Sequence, residues 1–151
     1  MDAFIQMLPE SSFTHPDGML FETMYENGKP HVVIKIGPVA ERVFSGMRHA
    51  IAAMAAQGNN LVVDEVLSGN ESVERAEYAK LLQPFEVFMV GVFASLDVLE
   101  ARELQRGDRM IGLARAQYDR VHAGMKYDLE IDTSGASPKE CAQMIKQKFD
   151  L

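Results

Sequence analysis

The chain has 151 residues, the size of one typical domain, with 47% hydrophobic and 25% charged residues, as in ordinary globular proteins. Its formal net charge of −7 excludes broad binding to nucleic acid polymers or anionic membranes, because few phosphates could be neutralised. The single cysteine, Cys141, permits no internal disulfide, and no apolar stretch approaches the roughly 20 residues that span a bilayer. We therefore expect a cytoplasmic protein.

The first 38 residues are rich in turn signals, among them the HPDG run at 15–18 and the NGKP run at 27–30. Strand-forming residues over 19–25 and 31–36 flank the second turn. This pattern predicts a short hairpin.

From residue 39 onward, helical and strand patterns alternate. Strands are predicted over 61–63, 87–93 and 127–132. Helices are predicted over 39–57, 70–82, 96–106, 109–122 and 137–149. The apolar face of the first of these helices is predicted to consist of Val39, Val43, Met47, Ala50, Ile51 and Met54. The order predicts a single α/β domain whose parallel sheet is flanked by helices.

Individual residues predict where several helices begin and end. Gly58 and Gly107 are placed to end their helices, and Asp108 is placed to cap a helix that begins at Arg109. Ser137 and Glu140 have the spacing of a capping box at the start of the last helix.

The run ARELQRGDRMIGLARAQ, residues 101–117, holds four arginines in an acidic chain. The break at Gly107 and Asp108 would place Arg106 at a helix end and Arg109 at a helix start, so that both guanidinium groups could face one anion. Guanidinium suits phosphate because it stays charged and donates two parallel hydrogen bonds. The alternative is a solvated helix face on which the arginines pair with neighbouring carboxylates.

Three further places could carry chemistry. Asp64 and Glu65 follow the apolar run 61–63, where P-loop enzymes hold Mg²⁺, although Asp also favours ordinary turns. Thr133 follows the last predicted strand and could contact a nucleotide, or belong to a plain turn. Asp2 is either a terminal surface charge or part of a site.

Together these features resemble one family. The run RELQRGDR, residues 102–109, is similar to the lid motif R-E-x-x-R-G-D-R of the chloramphenicol phosphotransferases. Shorter likenesses follow in the family's order: IGP at 36–38, LVVDEV at 61–66, YD at 127–128, DT at 132–133 and ECA at 140–142. The resemblance covers almost the whole chain.

The resemblance implies a P-loop kinase-like fold that transfers the γ-phosphoryl group of ATP to a hydroxyl of a chloramphenicol-like acceptor. It implies that Asp2 is the catalytic base and that a lid at about 102–120 closes over ATP. The ATP-binding residues would be Arg102, Arg106, Arg109 and Thr133, with Arg106 and Arg109 also catalytic. Asp64 would lie near Mg²⁺, and the acceptor would be bound by Asp2, Asp64 and Glu65 with help from the hairpin in residues 1–38.

The family's glycine-rich phosphate loop, G-x-x-x-x-G-K-[ST], does not occur in these 151 residues. We therefore expect an N-terminally truncated relative whose first central strand and phosphate loop are missing and which would be inactive without that loop. The alternative is a non-catalytic module that binds a phosphate-bearing ligand and forms a homo-oligomer through exposed strand edges. Shikimate or gluconate kinases are another family option, which the run at 102–109 disfavours.

Overall fold

The structure, a computed structural model, describes residues 2–66 and 71–151, without the side chains of Asp2, Glu71 and Ser72. It is a mixed α/β structure with helices and, in the described residues, two small sheets. The chain forms two compact units. The first comprises Met1–Glu22 and Val33–Glu86, and the second comprises Thr23–Val32 and Val87–Leu151.

Up to residue 86, the described elements are helix α1, a short 3₁₀ helix, the strands β1 and β2, and helices α2 and α3. Their bounds are Asp2–Ile5, Glu10–Phe13, Met19–Glu26, Lys29–Ile36, Pro38–Ala56 and Glu71–Leu82. After residue 86, the chain forms β3, α4, α5, β4 and α6. Their bounds are Val90–Phe93, Leu96–Arg106, Leu113–Tyr118, Leu129–Asp132 and Pro138–Phe149. None of the described helices combines the length and the apolar character that crossing a bilayer requires.

The predicted hairpin is confirmed. β1 and β2 form their own two-stranded sheet, and Asn27 and Gly28, with φ of 50° and 77°, make the turn between them. Two consecutive residues with positive φ give a turn whose twist matches that of the strands. The boundary between the two units crosses both strands of this hairpin.

The core of the first unit is built on one face of α2. Ala40 and Phe44 of this helix are buried with Leu8 and Met19, and Val39 and Val43 lie at the margin of the cluster. Of the predicted apolar face, Met47 and Ile51 are buried. The other buried residues of α2 are Ala40, Phe44 and Arg48, each one position after a predicted residue. Met54, predicted to be buried, is 42% exposed. The displacement brings a charged residue, Arg48, into the interior.

The second unit contains a parallel pair of strands. β3 and β4 pair in register from Val90 opposite Leu129 to Phe93 opposite Asp132. The predicted strands 87–93 and 127–132 are therefore confirmed in their C-terminal parts. The predicted strand 61–63 is wrong: no strand is assigned there, and Val62 is 99% exposed. An apolar run becomes a strand only when a neighbour completes its hydrogen bonds, and neither sheet of the described residues offers 61–63 a partner.

Most predicted helix ends are confirmed. Gly107 ends α4 in the left-handed conformation, with φ of 66°. Ser137 and Glu140 form the predicted capping box at the start of α6. The predicted helix 109–122 is too long, because α5 covers only Leu113–Tyr118.

Candidate functional site

The predicted site residues are divided between the two units. Arg102, Arg106, Arg109 and Thr133 lie in the second unit. Asp2, Asp64 and Glu65 lie in the first.

Thr133 joins the loops that follow the two parallel strands. Its backbone N–H donates to the carbonyl of Phe93 at 2.7 Å, and its hydroxyl donates to the same carbonyl at 2.9 Å. Next to it, the hydroxyl of Ser134 accepts a hydrogen bond from the backbone N–H of Ser95 at 3.0 Å. The carboxyl ends of β3 and β4 are thus tied together, at the edge where ligands gather in open α/β sheets.

Arg102 reaches this edge from α4. Its Nη1 donates to the hydroxyl of Thr133 at 3.0 Å, and its Nη2 donates to the carbonyl of Thr133 at 2.6 Å. Hydrogen bonds from Ser134 hold the pKa of Asp132 below its usual value, and the charge of Arg102 adds to this effect. Two residues that sequence alone placed on separate elements are therefore in direct contact at the end of the parallel pair.

Asp108 binds Arg106 and lies near the charge of Arg109 rather than capping a helix. Arg106 donates from Nε and Nη2 to the two carboxylate oxygens of Asp108, both at 3.1 Å. The hydrogen bonds from Arg106 lower the pKa of Asp108, and the nearby charge of Arg109 lowers it further. The prediction that Asp108 caps the next helix is wrong, because its carboxylate is already engaged by Arg106. Arg106 and Arg109 are both exposed and flank this one carboxylate.

Sequence reasoning missed Glu103, which the alternative of a solvated arginine face would count only among the neighbouring carboxylates. Glu103 is only 7% exposed. Its Oε2 accepts the backbone N–H of Gly112 at 2.8 Å, and its Oε1 accepts that of Ala114 at 2.7 Å. A side chain of α4 therefore supplies the cap of α5. A second tie between these helices is the ion pair of Glu100 with Arg115.

Gly112 also contacts the hairpin. Its carbonyl accepts the backbone N–H of Val32 at 3.2 Å, and a Cβ at this position would lie 2.5 Å from the carbonyl oxygen of Pro30. Its φ of 98° is itself a conformation that favours glycine. A cavity of about 160 Å³ lies between the hairpin turn, α4 and residues 111–112.

In the first unit, Asp64 is exposed and Glu65 is half-buried. The hydroxyl of Tyr78 donates to Oε2 of Glu65. Burial raises the pKa of Glu65, despite the opposing effects of Tyr78 and Arg48. The side chain of Asp2 lies outside the described part of the structure, although its backbone begins α1.

Arg48 is the centre of a buried charged network that was also missed. Its Nε donates to Oε2 of Glu77 at 2.5 Å, and its Nη1 lies 3.9 Å from Oε1 of Glu74. The hydroxyl of Ser45 donates to the other oxygen of Glu77 at 2.7 Å. Burial alone would raise the pKa of Glu77, but the hydrogen bonds from Ser45 and Arg48 outweigh it and hold that pKa below its usual value. The guanidinium also lies 5.9 Å from the ring centre of Tyr78.

Within residues 2–66 and 71–151, no three His, Cys, Asp or Glu side chains form a group that could hold a metal ion by themselves. Mg²⁺ commonly uses one or two carboxylates together with phosphate oxygens and waters. A single exposed carboxylate such as Asp64 fits that mode of binding.

Comparison with known proteins adds the family. A family model described as "Chloramphenicol phosphotransferase-like protein" matches residues 1–150. Two curated proteins, from two strains of Mycobacterium tuberculosis, are each 31% identical to the chain over 113 residues, and each carries the name "Putative O-phosphotransferase". These matches cover 75% of the chain and 49% of each relative, so the chain spans about half the length of the curated relatives it matches. The resemblance first carried by the run at 102–109 is confirmed, and the chain belongs to the chloramphenicol phosphotransferase-like family.

Proposed function

We propose that this chain carries part of the site of an ATP-dependent O-phosphotransferase, which moves the γ-phosphoryl group to a hydroxyl of a small, chloramphenicol-like molecule. The observation that carries the proposal is the arrangement of three exposed arginines. Arg102 is fixed on Thr133, and Arg106 and Arg109 flank Asp108. Phosphoryl transfer depends mainly on positioning and on stabilisation of negative charge, which guanidinium groups supply.

The residues present fit a bound ATP. Arg106 and Arg109 are exposed and would hold phosphate oxygens through paired N–H groups. Arg102 and Thr133, at the carboxyl ends of β3 and β4, would hold the nucleotide at that edge. ATP, when bound, supplies the transferable phosphoryl group. Asp108 already accepts hydrogen bonds from Nε and Nη2 of Arg106, so this carboxylate competes with phosphate for the guanidinium.

Family membership supports the assignment of the acceptor side. Asp2 would accept the proton of the acceptor hydroxyl, and Glu65 would contact the acceptor. Asp64, an exposed carboxylate, would hold Mg²⁺ directly or through a water. This assignment is supported by family membership and by the exposure of Asp64.

Titration calorimetry of Mg-ATP into the 151-residue chain tests the proposal. Arg106→Ala and Arg109→Ala should each weaken binding about 10- to 150-fold, because a hydrogen bond to a charged group contributes about 1.5–3 kcal/mol. Arg42→Ala is the matched control, since Arg42 is an exposed arginine of α2 outside the proposed site. Its affinity should match that of the unsubstituted chain.

A coupled assay of ADP release, with chloramphenicol as the hydroxyl acceptor, then tests transfer itself. Absence of Mg-ATP binding would refute the nucleotide assignment. Binding that is indifferent to both arginine substitutions would show that phosphate is held elsewhere.

A second candidate function is a non-catalytic, self-associating module. It is favoured by exposed apolar side chains in and just before β3, where Phe88, Met89 and Val92 are 39%, 41% and 56% exposed. Parallel sheets are normally covered on both faces, so such exposure invites association. Sedimentation analysis distinguishes the two: a concentration-dependent dimer abolished by Val92→Lys supports the module, and a stable monomer rejects it.

A further inference from the structure

Glu103 is a buried carboxylate whose two oxygens are both used by backbone N–H groups. Charged side chains are almost never fully buried unless they are paired. Here the partners are Gly112 and Ala114, at 2.8 Å and 2.7 Å, at the start of α5. These amides belong to the N-cap residue and to the first turn of α5, where a helix offers no backbone acceptors for its own amides. Glu103 therefore fixes the end of the loop that begins at Gly107 and carries Arg109.

Gly112 links that loop to the hairpin through its other backbone group. Its N–H donates to Glu103, and its carbonyl accepts from Val32 of β2. The chain approaches Pro30 so closely at this point that a side chain would collide with the Pro30 carbonyl. One residue thus contacts α4 on one side and the hairpin on the other.

We propose that Glu103 is a positioning residue that holds two segments as one body: the arginine loop, residues 107–112, and the hairpin tip, residues 23–32. Both segments belong to the second unit. The carboxylate orders Gly112, and the ordered Gly112 presents its carbonyl to Val32. Loss of the Glu103 contacts should loosen the hairpin tip as well as the arginine loop.

This body has a functional consequence that rests on the proposed function. On that proposal, the arginine loop contacts the phosphates of ATP and the hairpin encloses the acceptor. Because the two segments are joined, binding of either substrate would order both of them. Ordering by the first substrate reduces the entropy lost when the second one binds. Mg-ATP and the acceptor should therefore bind with positive coupling, and the coupling should depend on Glu103.

The chain offers a sharp variant and a matched control. Glu103→Gln keeps the size of the side chain, but its amide has one accepting oxygen and one donating nitrogen. One of the two backbone N–H groups would then face another donor. Asp97→Asn is the control, since Asp97 is an exposed carboxylate in the first turn of the same helix.

Hydrogen exchange read amide by amide tests the body without any ligand. In Glu103→Gln, exchange at Ala114 should accelerate about tenfold, and exchange at Val32 about threefold or more. Amides of the β3–β4 pair should keep their protection, and Asp97→Asn should change the exchange of neither Ala114 nor Val32. Unchanged protection at Val32 would overturn the proposal. Equal acceleration across the β3–β4 pair would also overturn it, because Glu103 would then be a general stabilising residue.

Titration of Mg-ATP with and without saturating chloramphenicol tests the coupling. In the unsubstituted chain, chloramphenicol should tighten Mg-ATP binding by about fivefold or more, and Glu103→Gln should abolish the tightening. Tightening that survives in Glu103→Gln would refute the coupling role. If Mg-ATP does not bind the unsubstituted chain, the proposed function fails, whereas the exchange experiment still decides whether the two segments form one body.

Discussion

Replacing Arg48 by Met should destabilise the chain substantially, although Arg48 is outside every predicted site. The side chain of Arg48 is 6% exposed, and those of Glu74 and Glu77 are 10% and 22% exposed. Removing one partner of a buried ion pair costs about 3–5 kcal/mol, because the other charge stays buried. Glu77 keeps the hydrogen bond from Ser45 and some contact with solvent, which favours the lower end. We expect a loss of about 3 kcal/mol.

Urea unfolding at neutral pH measures this loss, with Arg42→Met as the control. Arg42 is an exposed arginine of the same helix, so the same substitution there should change the free energy of unfolding by less than about 0.5 kcal/mol. Met suits both positions because it is unbranched and a good helix former. If Arg48→Met and Arg42→Met lowered the free energy of unfolding equally, burial of the Arg48 charge would not be the cause of the loss.

The loss of stability caused by Arg48→Met should depend on pH. The pKa of Glu77 is lowered in the folded chain from its usual value of 4.5, so the stabilisation it contributes is present above that value and is lost as the pH falls through the folded pKa. The stability gap between the unsubstituted chain and Arg48→Met should therefore narrow in acid. A gap that is constant from neutral pH down to the acid limit of folding would show that the Arg48–Glu77 pair does not cause it.

Three other substitutions have directional outcomes. Asp108→Asn removes a competitor for Arg106 and should tighten Mg-ATP binding about two- to fivefold in calorimetry, whereas weaker binding would mean that Asp108 orients the guanidinium. Glu65→Gln mimics the protonated acid and keeps an acceptor for the hydroxyl of Tyr78. Burial raises the pKa of Glu65, so ionisation of this carboxyl costs the unsubstituted chain stability as the pH rises from about 4 to about 7. The variant does not ionise and should therefore gain stability relative to the unsubstituted chain over this range. A pH-independent difference in urea unfolding would contradict this. Ser137→Ala removes a helix cap and should cost about 1 kcal/mol in the same assay, and no loss would show that α6 does not need the cap.

The parts of the fold that sequence predicts well are decided within a few residues. Gly107 ends its helix because a residue without Cβ adopts positive φ easily, and Ser137 with Glu140 satisfies the first amides of α6 locally. The hairpin follows from Asn27 and Gly28 in the same way. None of these outcomes needs knowledge of a distant partner.

The predictions that fail depend on distant partners. The run 61–63 is apolar enough for a strand, but the described sheets leave it unpaired. The helix predicted from Arg109 begins later because Arg106 engages Asp108, while Glu103 caps the chain at Gly112. A local pattern contains neither of these contacts.

The buried charged residues Arg48, Glu74 and Glu103 were missed because charged residues are usually assigned to the surface. The burial of Arg48 could nevertheless have been predicted, since this residue lies four positions after Phe44 and three before Ile51, within the apolar stripe of α2. A charge at such a position requires a buried partner. The contact of Arg102 with Thr133 was partly predictable, because both belong to the loops and helices that follow neighbouring parallel strands.

The pairing of β3 with β4 sets the order in which the second unit is assembled. The hairpin closes through two turn residues and should form in about 1–10 μs, whereas Thr133 must find Phe93 across a separation of 40 residues. On a ribosome that adds about 5–20 residues per second, Thr133 is synthesised about 2–8 s after Phe93. During that interval Arg102 has already been made but has no Thr133 to contact. The arginine-bearing edge is therefore among the last parts of the unit to be completed, so a nascent chain acquires this edge only after β4 has joined the sheet.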